Sequence, residues 1–461
     1  MGIAASLFFS NTDSENCLAY RIKPAIEQRD AQKERWNDLR DILCEKLNDE
    51  TGYNMSSWLQ GSYKFGTQIR PARPGDEFDI DLGIYFEWNG TDDEGQYDPD
   101  KFKELVQDLL VQYADDETNE AEGVSDPKAR CNRIHFSGDF HIDVPSYHLD
   151  RSTDSRSLAT EENGWEHSDP KAIYVWWKDA LDDAKRQRAR RLVRYLKMWA
   201  ALNLVEEDRP SSILLTVLAC EAYLGLNEGD HSGDDEHLRE VIKAILDRLR
   251  HDTRVPNPID KGEDLNRLSD KASTNLISEL DAFQSLADKA LAAASRADSA
   301  DFWSEAFHHF FPLPEQEELI EDANRNALAM LTFDPTVSVI ATNNGRRWAD
   351  TNRIGIIPRG SDISFSIMNV HELPAGAEVT WIVRNSGLEA EAINDMGHRG
   401  ATGNSTTESS AYRGTHHMDV TVRLNGRVIG RRRIPVKVSG LGLPLRNPGR
   451  KGWVKLRSRG R

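Results

Sequence analysis

A chain of 461 residues with 38% hydrophobic and 29% charged side chains has room for two or three domains and a large core, which excludes a disordered chain. Its formal net charge of −18 argues against a surface built to coat nucleic acid, because neutralising phosphates needs Lys and Arg on the contact face. No stretch approaches the roughly 20 apolar residues of a membrane span, and Cys17, Cys44, Cys131 and Cys220 are too scattered for Cys-x-x-Cys ligation, so the chain reads as cytoplasmic with reduced thiols.

The first predicted element is a helix from about Ala19 to Glu50, with Trp36, Leu39, Leu43 and Leu47 at helical spacing. A β region follows from Trp58 to Pro145, interrupted by the acidic loop Glu87 to Asp100 and a helix from Lys101 to Tyr113. It opens on Gln60-Gly61-Ser62-Tyr63, where a Gly-Ser turn lets backbone N–H groups and a hydroxyl approach phosphate oxygens that a larger residue would keep away. In the strand beyond it Phe78, Ile80, Leu82, Ile84 and Phe86 alternate, so Asp79 and Asp81 share the opposite face. A third carboxylate comes from His141-Ile142-Asp143-Val144-Pro145. An Asp-x-Asp is common on strands, but with a third acid and the Gly-Ser turn it fits two Mg²⁺ ions, or Mn²⁺, whose remaining ligands are phosphate and water. The chemistry this predicts is transfer at a nucleoside triphosphate.

From Asp179 the pattern turns helical, with Leu192, Tyr195, Leu196 and Trp199 on one stripe and Arg190, Arg194 and Lys197 on another face. Further helices are predicted over Ser212–Leu224, Glu236–Leu249, Leu265–Ala294 and Phe302–Leu331, with a solvated loop at Gly225 to Asp235. Lys197 alone reads as an exposed helical lysine and Ser212 as an N-cap; beside the acids they become the cation and hydroxyl that triphosphate binding needs. Trp176, Trp177 and Trp199 read as packing anchors. His308-His309 and His416-His417 lack the spacing of a transition-metal site and read as packed or solvated imidazoles.

A composition shift at Phe333-Asp334-Pro335 opens a β region: Val337–Ile340, Ile363–Ile367, Glu378–Val383 and Met418–Leu424 alternate, and Asn425-Gly426 predicts a hairpin into Val428–Val438. This is a small β domain of sandwich type. The tail after Leu441 carries seven basic residues and no acid, a composition that suits an anionic partner or plain solvation.

Taken together, Gln60-Gly61-Ser62-Tyr63, Arg70-Pro71, Pro74-Gly75, Asp79 to Tyr85, Cys131-Asn132-Arg133-Ile134, His141 to Pro145, Ser168-Asp169-Pro170-Lys171, Lys197-Met198-Trp199 and Pro210-Ser211-Ser212-Ile213 resemble, in order and rough spacing over about Gln60 to Leu224, the bacterial cGAS/DncV-like nucleotidyltransferases of CBASS anti-phage defence, in their cyclic GMP-AMP synthase subgroup. Thr336 to Val438 resembles the adenylyl/guanylyl cyclase and SMODS C-terminal sensor domain, a fusion that departs from that subgroup. The resemblance implies an α+β protein: a polymerase-β-like catalytic lobe over 1–195, a helical lobe over 196–332, an all-β sensor domain over 336–440 and a basic tail over 441–461. It implies Asp79, Asp81 and Asp143 as catalytic metal ligands. Gln60, Gly61, Ser62, Tyr63, Lys197 and Ser212 are then nucleotide-binding, with Arg133 at the acceptor nucleotide and Ser168 at a nucleotide. The implied product is 3′,3′-cyclic GMP-AMP from ATP and GTP, acting on an effector, with a regulatory ligand or protein at the C-terminal domain. The residues themselves leave open a cyclic di- or trinucleotide of other bases, transfer of one nucleotide to a macromolecule, or a silent nucleotide-sensing module.

Overall fold

A computed structural model describes residues 2–12, 16–73, 75–226, 233–314 and 331–439. The chain divides into two compact units, residues 1–326 with 392–394, and residues 327–391 with 395–461. No helix among the described residues is long and apolar enough to cross a membrane.

In the first unit Ala4 to Phe9 forms a single turn whose Phe8 is fully buried, edge-on to Tyr195 and Trp303. The helix predicted from Ala19 is broken: one turn covers Leu18–Arg21, and α1 spans Ile26–Thr51. Pro24 is the reason, since the residue before a proline is pushed out of helical geometry. Strand β1 (Asn54–Gln60) leads into the short helix α2 (Gly61–Phe65), and β2 (Phe78–Glu87) pairs with β1 antiparallel. Helix α3 (Pro99–Asp115) is capped by Asp98, whose side chain accepts from Lys101 N at 2.8 Å. Strands β3 (Ala121–Val124), β4 (Asn132–Phe136), β5 (Phe140–Val144), β6 (Ser146–Asp150), β7 (Ser155–Thr160) and β8 (Gly164–His167) complete an eight-stranded sheet.

β5 and β6 are two halves of one run interrupted at Pro145, which has no N–H to give a ladder. Both lie parallel to β2 with the same register offset. The alternation of β2 sends Phe78, Ile80, Leu82, Ile84 and Phe86 into a core closed by Leu39, Leu43 and Leu47 of α1 and Phe102, Val106 and Leu110 of α3. With that face dry, the acids are left on the other.

Helix α4 (Pro170–Ala180) was not predicted; Asp169 caps it, accepting from Ala172 N at 2.9 Å, and Pro170 occupies its first turn. Helix α5 (Asp183–Asn203) buries Leu192, Tyr195, Leu196 and Trp199, and Trp199 stacks on Phe283. Helices α6 (Ser212–Leu224), α7 (Asp234–His251), α8 (Asp270–Leu291) and α9 (Arg296–Phe307) follow. The helix predicted over Phe302–Leu331 thus starts earlier and stops at Phe307, where His308 turns to φ 50°. Residues 315–330, part of the loop at 225–235 and the basic tail lie outside the described residues.

The second unit packs a four-stranded sheet on a five-stranded one. The strands are β9 (Val337–Asn343), β10 (Arg346–Thr351), β11 (Ile354–Pro358), β12 (Asp362–Ile367), β13 (Glu378–Arg384), β14 (Gly397–Thr402), β15 (Ser405–Ser409), β16 (Gly414–Leu424) and β17 (Arg427–Ser439). The sheet orders are β10-β9-β12-β15 and β11-β17-β16-β13-β14. Asn425 and Gly426, at φ 53° and 75°, make the predicted hairpin between β16 and β17, the twist a two-residue connection needs.

Asp419 of β16 is buried between Arg384 Nε at 2.6 Å and Arg433 Nε at 2.9 Å. Burial by itself raises its carboxyl, but the two guanidinium groups outweigh that and hold it at about 2. Asp419→Ala strands both cations, and breaking such a buried set costs about 3–5 kcal/mol, so a fall in the urea midpoint of the full chain is expected. Because the folded carboxyl sits below the unfolded one, this stabilisation is present above the ordinary carboxylate range and lost as pH falls toward 2. An unchanged midpoint would remove Asp419 from the stability of this domain.

Candidate active site

The parallel register of β2 on β5 sets Asp81 directly beside Asp143 and Asp79 beside His141. Carboxylate oxygens of Asp79 and Asp143 and a ring nitrogen of His141 lie within 4.8 Å of one another. Gly61 opens α2 at φ 54°, and a Cβ there would stand 1.8 Å from Asp81 Oδ2. Only glycine lets the turn close over this carboxylate. Asp81 is half-buried, and that burial followed by the charges of Asp79 and Asp143 pushes its carboxyl well above the usual range, against the pull of Lys197 and Arg133. For Asp79, burial also acts upward, but the hydrogen bond and charge of His141, with Arg133 and Lys197, bring it below the ordinary value.

His141 bridges two carboxylates, with Nε2 3.1 Å from Asp79 and Nδ1 2.7 Å from Glu77, and Glu77 also meets His135 Nδ1 at 3.1 Å. Gln68 Nε2 donates to the Asp79 carbonyl at 3.1 Å, fixing the backbone of β2 at the acid. Arg133 grips Asp143 from the neighbouring strand, with Nε 2.5 Å from Oδ1 and Nη2 2.8 Å from Oδ2.

A cleft of about 450 Å³ opens at Asp79, lined by Ser62, Arg133, Lys197, Arg209 and Ser212 among others. Lys197 is no exposed helical lysine. It is half-buried, its ammonium donates to Thr67 O at 3.1 Å, and it is lowered to about 8 by burial despite the charges of Asp79 and Asp81. It belongs to a row on α5: Arg190 Nε donates to Phe65 O at 2.9 Å and Arg194 Nη1 to Gly66 O at 2.7 Å. Three cations on one helix face therefore hold three consecutive carbonyls just after the Gly61-Ser62 turn. Ser212 is not the N-cap either. Ser211 Oγ caps α6, accepting from Leu214 N at 3.3 Å, and Ser212 is left to line the cleft.

Other predicted site residues lie elsewhere. Gln60 Oε1 accepts from Tyr147 OH at 3.1 Å, Tyr147 also bonds Ser168, and Tyr63 OH accepts from Trp36 Nε1 at 3.2 Å. Of the predicted residues Ser62, Asp79, Arg133, Lys197 and Ser212 line the cleft, whereas Gln60, Gly61, Tyr63, Asp81, Asp143 and Ser168 are not among its described lining residues. Arg209, Gln68 and Glu77 were missed. Arg209 had a signal, a guanidinium immediately before Pro210-Ser211-Ser212.

Whether the acids suit a cation is settled by their chemistry. Three carboxylates offer only hard oxygen donors, and the crowding of negative charge that pushes Asp81 upward is what a divalent cation relieves. The residues fit such an ion.

Residues 55–147 match the family model of the nucleotidyltransferase domain of cyclic GMP-AMP synthase DncV-like proteins, and residues 316–439 match that of the adenylyl/guanylyl and SMODS C-terminal sensor domain. A cyclic GMP-AMP synthase of Escherichia albertii is 28% identical over 445 residues, 94% of this chain and 96% of that one. That alignment runs into the C-terminal domain, so the fusion, expected as a departure, is no departure from this relative. A c-di-GMP synthase of Roseivirga ehrenbergii is 26% identical over 302 residues, covering 56% of this chain and 73% of that one. Among solved structures, the Vibrio cholerae di-nucleotide cyclase DncV in complex with GTP has a TM-score of 0.57 at 19% identity, covering 68% of this chain and all of that one. The 3′-deoxy GTP bound form of Escherichia coli DncV has a TM-score of 0.55 at 20% identity, with 67% and 97% covered. These two show a shared fold.

Proposed function

We propose that this chain, an enzyme carrying a DncV-like nucleotidyltransferase domain and a C-terminal sensor domain, joins ATP and GTP by two successive transfers into 3′,3′-cyclic GMP-AMP, a messenger for an effector in anti-phage defence. The observation that carries the transferase reading is the trio Asp79, Asp81 and Asp143 on adjacent parallel strands beneath Gly61. The names of the relatives support the cyclic dinucleotide, with c-di-GMP as the product that one of them favours.

Asp79, Asp81 and Asp143 would hold two Mg²⁺ ions, with Mn²⁺ as a substitute, which when bound lower the pKa of a 3′-hydroxyl and neutralise the departing pyrophosphate. Gly61 and the Ser62 hydroxyl bind the donor triphosphate, and Lys197 and Ser212 meet it from the helical side of the cleft. Arg133, which holds Asp143 in the structure, is assigned to the acceptor nucleotide when that carboxylate turns to the cations. His141 keeps Asp79 ionised, and Glu77 holds His141 from its other ring nitrogen.

Incubation with labelled ATP, GTP, CTP and UTP and mass spectrometry of the products tests this reading. A phosphatase-resistant cyclic GMP-AMP is expected; a product lacking adenine or guanine replaces the product assignment, a labelled macromolecule replaces cyclisation, and no product at all supports a nucleotide-sensing module.

The lysine has a pH signature. Lys197 is charged below about 8 and neutral above it, so kcat/KM for the triphosphate, which reports the free enzyme, should fall as pH rises through that value. In Lys197→Arg the fall should move to higher pH, since guanidinium stays protonated. Identical profiles would remove Lys197 from triphosphate binding.

A further inference from the structure

The C-terminal sandwich holds a second cavity, of about 110 Å³, lined by both sheets and by the segment Ser410 to Tyr412 that passes between them. An apolar cavity of roughly 150 Å³ takes up a benzene ring, so this smaller, partly open space takes the edge of one ring while the rest of the guest projects. Packed sheets stand roughly 10 Å apart, which makes the space a slot and favours a flat guest. Phe365 and Val436 supply apolar walls.

Two of the polar groups are acceptors with capacity to spare, set beside Asn385, Ser409, Ser410 and Tyr412. His416 is 7% exposed, and its Nε2 lies 2.9 Å from Tyr412 O. A carbonyl only accepts, so Nε2 carries the proton and Nδ1 is a bare lone pair, buried and with no hydrogen-bond partner among the described residues. Buried acceptors of this kind are rare because leaving them unpaired is unfavourable. Glu408, on the same cavity, accepts from His398 Nε2 at 3.1 Å and keeps further lone pairs free. Asp395 accepts from Tyr412 OH at 2.6 Å and from Asn385 Nδ2 and Gly397 N at 3.2 Å, and serves as frame. No Lys or Arg lines the cavity among the described residues, so no permanent cation is there to meet a phosphate.

We propose that this slot binds an amine-bearing nucleobase, whose N–H groups satisfy His416 Nδ1 and Glu408 while the edge of its ring lies between the sheets. The base belongs to a free nucleoside or to an unstacked position of a single strand. The net charge of −18 and the absence of Lys and Arg from the described lining favour the free form. The inference rests on the cavity and not on the catalytic reading.

The test uses the full chain labelled with ¹³C-methyl methionine, because Met418 lines the slot while Met198 belongs to α5, next to Lys197. Titration with guanosine, adenosine and cytidine should move the Met418 signal saturably, and uridine, whose ring N–H is flanked by two carbonyls, should bind at least about fivefold more weakly, the order of one lost hydrogen bond. His416→Phe and Glu408→Gln should each weaken the response by about fivefold to tenfold, with the remaining methionine signals showing that the fold is intact. Movement with oligocytidylate but not with free nucleosides assigns the strand as the source. A still Met418 with every probe at millimolar concentration, or a shift confined to Met198, would overturn the proposal.

Discussion

Asp79→Asn together with Asp81→Asn is expected to abolish pyrophosphate release from ATP and GTP while leaving the protein folded. Positioned cations supply several kcal/mol of charge stabilisation in such a transfer, and each ~1.4 kcal/mol is tenfold in rate, so a loss of at least about a thousandfold follows. Stability moves the other way. The folded carboxyl of Asp81 lies above its unfolded value, so the folded state holds its proton where the unfolded chain has released it, and the wild type loses stability as pH rises through that interval. In EDTA the single variant Asp81→Asn should lack that loss and melt at the same temperature or higher near neutrality, whereas Asp79, held below its ordinary value, contributes in the opposite sense. Undiminished pyrophosphate release by a folded double variant would end the assignment of these acids.

Gly61→Ala is the second large effect. The new methyl meets a backbone at φ 54° and, 1.8 Å away, the carboxylate of Asp81. Left-handed geometry alone costs an L residue about 1–2 kcal/mol. The clash adds displacement of the turn or of the acid, and a misplacement of roughly 1 Å in a catalytic array costs about a hundredfold in rate. Gly52→Ala separates the two terms: it has φ 73° with nothing within 4 Å of the added Cβ. Thermal melts and kcat for both variants should show a comparable conformational penalty and a rate loss confined to Gly61→Ala. Equal rates would show that the turn yields without consequence.

Strand β2 was legible because five apolar residues alternate without a fault, and a period of two admits one assignment of faces. The same rule placed Asp79 and Asp81 together. It could not reveal that Arg133 opposes Asp143, because that pairing is a matter of strand register across the sheet. Gln60 shows the limit of reasoning from adjacency: one residue before Gly61, its side chain turns to Tyr147 instead of the cleft. Helix α4 carried a readable start, Asp169 before Pro170, which went unread. Strands β10 and β14 had none, since their side chains are largely exposed and backbone pairing alone defines them.

The row on α5 sets a rule for what evolution or an engineer can do to the chain nearby. Arg190, Arg194 and Lys197 meet Phe65, Gly66 and Thr67 in step, so one residue added between Phe65 and Thr67 puts the three pairs out of step. The acidic stretch from Asp92 to Glu94, in which no residue is buried and Asp93 and Glu94 bond back to Thr91, makes no contact of that kind among the described residues. Length there is free to drift, whereas beside the turn chain length is quantised: the segment either keeps its residue count or loses its match to the helix.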